Sequence, residues 1–346
     1  MNYLSNKLAK VITDPTFPHN RKSSSVNPSS ASIQFIDSMG NTKTVGACLR
    51  QQYYKMTGIN SDASATVNID WTISALIGDK LHDLIVQLID TYGFAMKIQR
   101  LAAEHSIYDE VTRLSGRCDL IAWDYNTDEP IGIEIKSVGE YKAKNTIEQP
   151  GAEHVLQSMV YLDYYNSKIP DGQKKITKWY IWYISRTENW TLKAKGHGSP
   201  FVMLWDFCVE LKDGVPIITL PTGVKQKWSQ FSIKNIYERY DLLLKYVNEC
   251  VVPPRDYEIN YSEEKITGLF KNDKLERKMD KEAVEKWLKK GAEAGKLKVS
   301  MGDIECRFCE YSDLCWNGTI NKNAKTFSNL PSDTPTQIKD SGNYFL

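Results

Sequence analysis

The chain has 346 residues, enough for one large domain or two ordinary ones, and its 41% apolar and 25% charged content is that of a globular protein. Its formal net charge is only +1, so any nucleic-acid partner would have to be held by a local basic surface and not by a bulk field. No run of about eighteen apolar residues offers a membrane span.

The first residues, "MNYLSNKLAKVITDPTF", lack the apolar core of a signal peptide. Seven cysteines without a secretion signal read as reduced thiols of a cytoplasmic protein, where metal or cluster ligation is the better use for closely spaced ones. Residues 1–44 read as an N-terminal extension, and "HNRKSSSVNPSSAS" at 19–32 is Ser-rich and apolar-poor, the composition of a mobile arm. From 74 to 92, Ile77, Leu81, Leu84, Ile85 and Leu88 recur at helical spacing. Three extended pieces follow, "FAMKIQRLA", "SIYDEVTRLSG" and "GRCDLIAWDY", then a turn-rich "NTDEP" and "IGIEIKSV". They predict an antiparallel run of strands with a hairpin at 125–130.

Residues 146–166 read as helix, "KWYIWYIS" and "FVMLWDFCVEL" as strands, and 229–249 as a helix before "VVPP". Residues 271–298 carry ten Lys/Arg against six Asp/Glu, with Leu275, Val284, Trp287 and Leu288 as sparse apolar anchors, which predicts a surface helix pair. Residues 321–346 form a loose polar tail. The order of elements indicates a mixed α/β core with helical additions.

Chemistry concentrates on Asp119 and on Glu134-Ile135-Lys136. Side chains alternate along a strand, so Glu134 and Lys136 share a face while Ile133 and Ile135 pack on the other, and the hairpin brings Asp119 beside them. Two carboxylates at one point repel unless a cation sits between them, and hard oxygen donors suit Mg2+ or Mn2+. The Lys136 ammonium could orient a metal-bound water or stabilise charge during attack on phosphorus. Ordinary cross-strand ion pairs account equally well for an E-x-K strand. His82, at the edge of the first helix's apolar stripe, could add a nitrogen ligand or be a packed helix residue. Gln157 and Tyr161 share a helix face at i and i+4, which His154 and Tyr164 extend. Gly116 permits a close backbone approach or ends a turn.

Near the C-terminus "CRFCEYSDLC" spaces Cys306 and Cys309 as C-x2-C, with Cys315 after them. Spacing alone leaves zinc and an iron–sulfur centre open and supplies three of the four ligands either would take. Cys118, Cys208 and Cys250 read as structural.

Taken in order, "CLRQQYYK" at 48, "LHDLI" around His82, "GRCDLI" around Asp119, "IEIKS" around Glu134, "LQSMVY" around Gln157 and Tyr161, and the final cysteine cluster resemble the RecB-like exonucleases of the PD-(D/E)XK superfamily. Within these they resemble the four-cysteine group that includes the CRISPR-associated exonuclease and the nuclease module of AddB. The pieces span roughly 45–317, and the resemblance implies a nuclease domain over 45–320. That domain would have a restriction-endonuclease-like core, a mixed central sheet flanked by helices, and helical ends bearing a cluster.

It implies metal-dependent exonuclease activity on DNA, single-stranded ends being the expected substrate. His82, Asp119, Glu134 and the Ile135 carbonyl would hold Mg2+ or Mn2+. Lys136 would position the water, and Gln157 and Tyr161 would support the site or the DNA backbone. Cys48 becomes the fourth ligand of a 4Fe-4S cluster, with Zn2+ as the lesser substitute. Arg50, Lys55, Arg117, Lys142, Lys144 and the basic stretch after 271 are candidate phosphate contacts, and Tyr53, Tyr54 and Trp179 candidate base-stacking rings, although a solvated or buried role suits each as well. No P-loop occurs, so a helicase, recombination or CRISPR partner would be a separate chain. The alternative is a non-catalytic, cluster-stapled DNA-binding subunit of a processing complex.

Overall fold

The computed structural model describes residues 25–37, 40–59, 69–170, 172–186, 203–273, 275, 278–291, 295, 297 and 301–316. The expected tail at 321–346, residues 19–24 of the expected arm and parts of the basic stretch lie outside the described residues. In chain order, β1 (Ser32–Ile36) and β2 (Thr42–Gly46) precede helices α1 (Leu49–Met56) and α2 (Ile69–Met96). Strands β3 (Ile98–Asp109), β4 (Leu114–Asp124) and β5 (Glu129–Val138) lead to helices α3 (Glu140–Thr146) and α4 (Ala152–Lys168). Strands β6 (Lys178–Ser185), β7 (Leu204–Lys212), β8 (Val215–Thr219) and β9 (Lys225–Lys227) follow, then helix α5 (Ile233–Asn248). Helices α6 (Glu263–Lys271), α7 (Lys278–Lys290), α8 (Ile304–Arg307) and α9 (Ser312–Cys315) complete the described chain. No helix among the described residues is long and apolar enough to cross a membrane.

Two compact units result, one from Met1–Ala47 and Val67–Leu242, the other from Cys48–Thr66 and Leu243–Leu346. The first is mixed α/β. Its seven-stranded sheet has the order β3-β4-β5-β6-β7-β8-β9, antiparallel throughout except for the parallel pair β5–β6. A parallel pair needs a long crossover, which α3 and α4 supply. One face of β5 presents Ile131, Ile133 and Ile135 to Ile85 and Ile89 of α2. On the other face, Tyr161 of α4 stacks on Trp179 of β6 at 4.9 Å between ring centroids, and Tyr165 stacks on the same indole. That indole lies across Gly132 of β5, where a Cβ would come within 2.1 Å of it, so the central strand needs glycine there.

Two differences from the sequence reading have physical causes. Residues 25–32, expected within a mobile arm, are built into this unit. Val26 bridges to Leu114, Asn27 and Ser30 cap a 3-10 turn over Pro28–Ser30, and Val26, Ala31 and Ile33 are buried. Local side-chain caps satisfy the backbone that Ser-rich composition seemed to leave free. Pro28 sits against Gly116, where a Cβ would meet the ring at 2.7 Å, so that glycine serves packing. Phe94–Met96, read as the start of a strand, closes α2 instead.

The second unit is helical among the described residues. Ile266 of α6 and Val284 of α7 pack with Leu275 and Leu297 in a small core. Ser262 caps α6 through the Lys265 N–H. The flanks of this helix pair are joined by backbone bonds from Tyr261 N–H to Met301 O (2.7 Å) and Asp303 N–H to Glu258 O (2.8 Å).

Candidate functional site

In the first unit β4 and β5 part company. Their ladder runs from Asp124↔Glu129 to Leu120↔Ile133, while β5 continues to Val138 paired only with β6. Both backbone groups of Ile135 on the open side are then claimed by side chains. Its N–H donates to Asp119 Oδ2 at 2.7 Å, and its carbonyl accepts from His82 Nε2 at 2.9 Å. Since a carbonyl only accepts, Nε2 carries the proton, and in a neutral ring Nδ1 presents a lone pair. That nitrogen lies 3.8 Å from Asp119 Oδ1 and 3.9 Å from Glu104 Oε1. On β5, Lys136 Nζ donates to Glu134 Oε1 (2.6 Å) and to Gln157 Oε1 of α4 (3.1 Å). Glu134 Oε2 is buried with no hydrogen-bond partner.

Three features fit a divalent cation. Donor atoms of His82, Glu104 and Asp119 lie within 4.8 Å of one another. With Nε2 spent on the Ile135 carbonyl, the lone pair of His82 Nδ1 is the nitrogen donor, 3.8 Å from Asp119 Oδ1 and 3.9 Å from Glu104 Oε1. Glu134 Oε2, on a residue 2% exposed, is buried without a hydrogen-bond partner and so has a lone pair to offer. Electrostatics agree. Burial holds both the Asp119 and the Glu134 carboxyls above their ordinary range, against the lowering pull of Lys136. Burial also opposes charge on Lys136, but Glu134 and Asp119 outweigh it and the ammonium is retained. A cation reverses the carboxylate shifts.

Of the residues expected at the site, His82, Asp119, Glu134, Ile135, Lys136 and Gln157 are joined through this network, although Glu134 is outside the three-residue donor group. Tyr161 acts one step away. Its hydroxyl donates to the Arg117 carbonyl at 2.7 Å, fixing β4 two residues before Asp119. His154 is committed elsewhere: its Nδ1 hydrogen-bonds the Tyr183 hydroxyl (2.6 Å), which also accepts from Gly151 N–H (2.9 Å), and its Nε2 faces Lys142 Nζ at 3.4 Å. Tyr164 bonds the Tyr108 backbone.

Glu104 escaped the sequence reading. It lies between the pairs Ala103↔Leu120 and His105↔Cys118, across from Asp119, with its backbone at φ +50°. A non-glycine residue is uncommon in the left-handed region, and Glu104 is one of seven among the described residues. The one signal available was its place in a hairpin strand opposite Asp119, and a register shift between Arg100 and Ala102 obscures that count.

In the second unit, Cys48 at the start of α1 lines one cavity with Cys306, Cys309 and Cys315. Tyr54, Tyr257, Tyr311 and Trp316 wall it. Burial pushes the Cys48 thiol up to about 12 and Cys309 up to about 11, and Cys306 also rises, so ligation there must displace firmly held protons. Among the described residues no three of these sulfurs lie within 4.8 Å of one another.

Most of the proposed nucleic-acid contacts are otherwise engaged. Trp179, Tyr53 and Tyr54 are buried in packing and cannot receive a base. Arg50 is buried too. Lys55, Lys142 and Lys144 are ion-paired with Glu310, Glu153 and Glu140, and Arg117 with Glu104. Rigid packing of large aromatics and local pairing of charges used up the side chains that composition left available. No family model matches the chain, and no curated protein matches it.

Proposed function

We propose that the first unit carries a metal-dependent deoxyribonuclease site of the RecB-like PD-(D/E)XK kind, an exonuclease acting on single-stranded DNA ends. The observation that carries this reading is the fork between β4 and β5. There the Asp119 carboxylate and the His82 imidazole meet at Ile135 with the Glu104 carboxylate near both, and Glu134 and Lys136 follow on β5. His82, Asp119, Glu134 and the Ile135 carbonyl would hold Mg2+ or Mn2+, with Glu104 as an added carboxylate. The ion supplies Lewis acidity for the charge that develops on phosphorus and lowers the pKa of a bound water.

The chain's own groups do the positioning. Lys136 spends two of its three N–H donors on Glu134 and Gln157, and the third is available to a water or a phosphoryl oxygen. Glu134 and Gln157 fix that ammonium, and Tyr161 fixes the strand carrying Asp119. In the reaction a water oxygen bonds to phosphorus, the opposite P–O bond breaks in line, and the leaving oxygen takes up a proton.

The cysteine cavity of the second unit supports a 4Fe-4S cluster. A tetrahedral zinc site at Zn–S of about 2.3 Å brings its sulfurs to about 3.8 Å from one another. Among the described residues no three of the cysteine sulfurs approach within 4.8 Å, so the cavity is not already drawn to that tetrahedral spacing. The test is cleavage of 5′- and 3′-labelled single strands with Mn2+. Lys136→Ala and Asp119→Ala should each lower the rate about 10²–10⁴-fold. Unchanged cleavage in both variants would leave only a non-catalytic DNA-binding role.

A further inference from the structure

Arg50 lines the cysteine cavity and is 3% exposed. A guanidinium stays protonated, so this is a buried positive charge. Its Nε donates to the Pro253 carbonyl at 2.7 Å and its Nη1 to Cys315 Sγ at 3.5 Å. Its Nη2 is buried with no hydrogen-bond partner. Among the described residues no carboxylate stands within ion-pair distance of it. Burying a cation without a counter-charge is costly, and a neutral thiol does not offset it. Four cysteine thiolates around a cluster do.

The contact is also directional. Cys315 is fixed in place by its own N–H to the Tyr311 carbonyl (2.8 Å) and by Arg255, which donates to the Cys315 carbonyl (2.8 Å) and lies 3.9 Å over the Trp316 ring. The backbone that carries the sulfur is therefore held beside Arg50. No comparable donor from an arginine or lysine side chain reaches Cys48, Cys306 or Cys309 among the described residues.

We infer that Arg50 is the counter-charge of the cysteine-held group and sets its reduction potential through the Cys315 corner. This rests on the reading of the cavity as a 4Fe-4S site. Reduction adds one negative charge to the cluster. A cation beside one ligand sulfur, with an N–H donated to it, stabilises that more negative state and raises the potential. Glutamine in its place keeps a donor but no charge, and lysine keeps the charge without the planar fork.

The test uses the full chain purified anaerobically as wild type, Arg50→Gln, Arg50→Met and Arg50→Lys. Iron, sulfide and zinc are measured first, and the midpoint potential is then found by stepwise reduction with dithionite in the presence of mediators, followed by electron paramagnetic resonance. The expected result is a midpoint displaced to more negative potential in Arg50→Gln and displaced less in Arg50→Lys. A midpoint in iron-loaded Arg50→Gln that coincides with wild type overturns the inference while leaving the cluster in place. Should Arg50→Gln lose its iron, Arg50→Met, also uncharged and of similar length, decides by the same criterion. Wild type holding zinc and no iron overturns the cluster reading itself, before any potential is measured.

Discussion

The two units gather ligating side chains in opposite ways. In the first, nitrogen and oxygen donors stand at a fork in a sheet, with Glu104 40% exposed and His82 22% exposed at the side chain. In the second, four sulfurs and a buried arginine sit inside walls of tyrosine and tryptophan. As a proposed nuclease site, the first would let water and a charged substrate reach a hard cation, as catalysis at phosphorus needs. The second keeps four half-buried cysteines around a narrow cavity walled by aromatic rings, which would suit a group meant to stay. The elements that carry them differ in kind as well. Hard donors come from long strands and a long helix, whereas three of the four cysteines come from two helices of four residues each and their connection. Short elements of that sort bury little surface of their own, so the group they hold becomes part of what folds them.

The strongest test of this contrast is whether the two sites fail separately. Cys48→Ala should abolish the brown iron–sulfur absorbance and most of the soluble yield, while Asp119→Ala should keep iron content at the wild-type level and lose cleavage. Loss of iron in Asp119→Ala would mean that the sites are not separable. Next in size, Glu104→Gln should weaken Mn2+ binding about 10-fold by calorimetry without substrate. Unchanged affinity would return Glu104 to being the ion-pair partner of Arg117 alone.

A thermal measurement sharpens the electrostatic side. A carboxyl whose pKa is raised by folding binds its proton more tightly in the folded state, so metal-free stability rises as pH falls through that raised pKa and is lowest above it. Metal-free Glu134→Gln should therefore melt about 2 °C above wild type at pH 8, corresponding to about 1 kcal/mol, with the gap narrowing toward pH 5. Mn2+ should reverse the order. The smallest effect belongs to Tyr161→Phe, which removes one hydrogen bond to β4 and should cost about 1 kcal/mol of stability with cleavage changed only severalfold.

Legibility in the sequence followed how local each signal was. Strand alternation at "IEIK" placed Glu134 and Lys136 on one face and the isoleucines on the other, and the core has that arrangement. Helical spacing found α2 and α4, and β-branched and aromatic density found β6. Strand β8 and the edge strand β9 went unremarked. The turn joining β7 to β8, Asp213-Gly214 with both residues at positive φ, carries a readable hairpin signal, whereas β9 is three polar residues at an edge.

By itself the sequence determined that a carboxylate, a second carboxylate and a lysine would meet on adjacent strands, and that cysteines would cluster near the end of the chain, because backbone periodicity and short spacings are written residue by residue. Only the tertiary structure decided that Glu104 stands across from Asp119, that Arg50 is buried against Cys315, and that the tryptophan and tyrosines proposed for DNA are sealed in packing. Those outcomes depend on a register shift, on a strand fork and on which side chains win space in the interior, and each is settled between segments far apart in the chain.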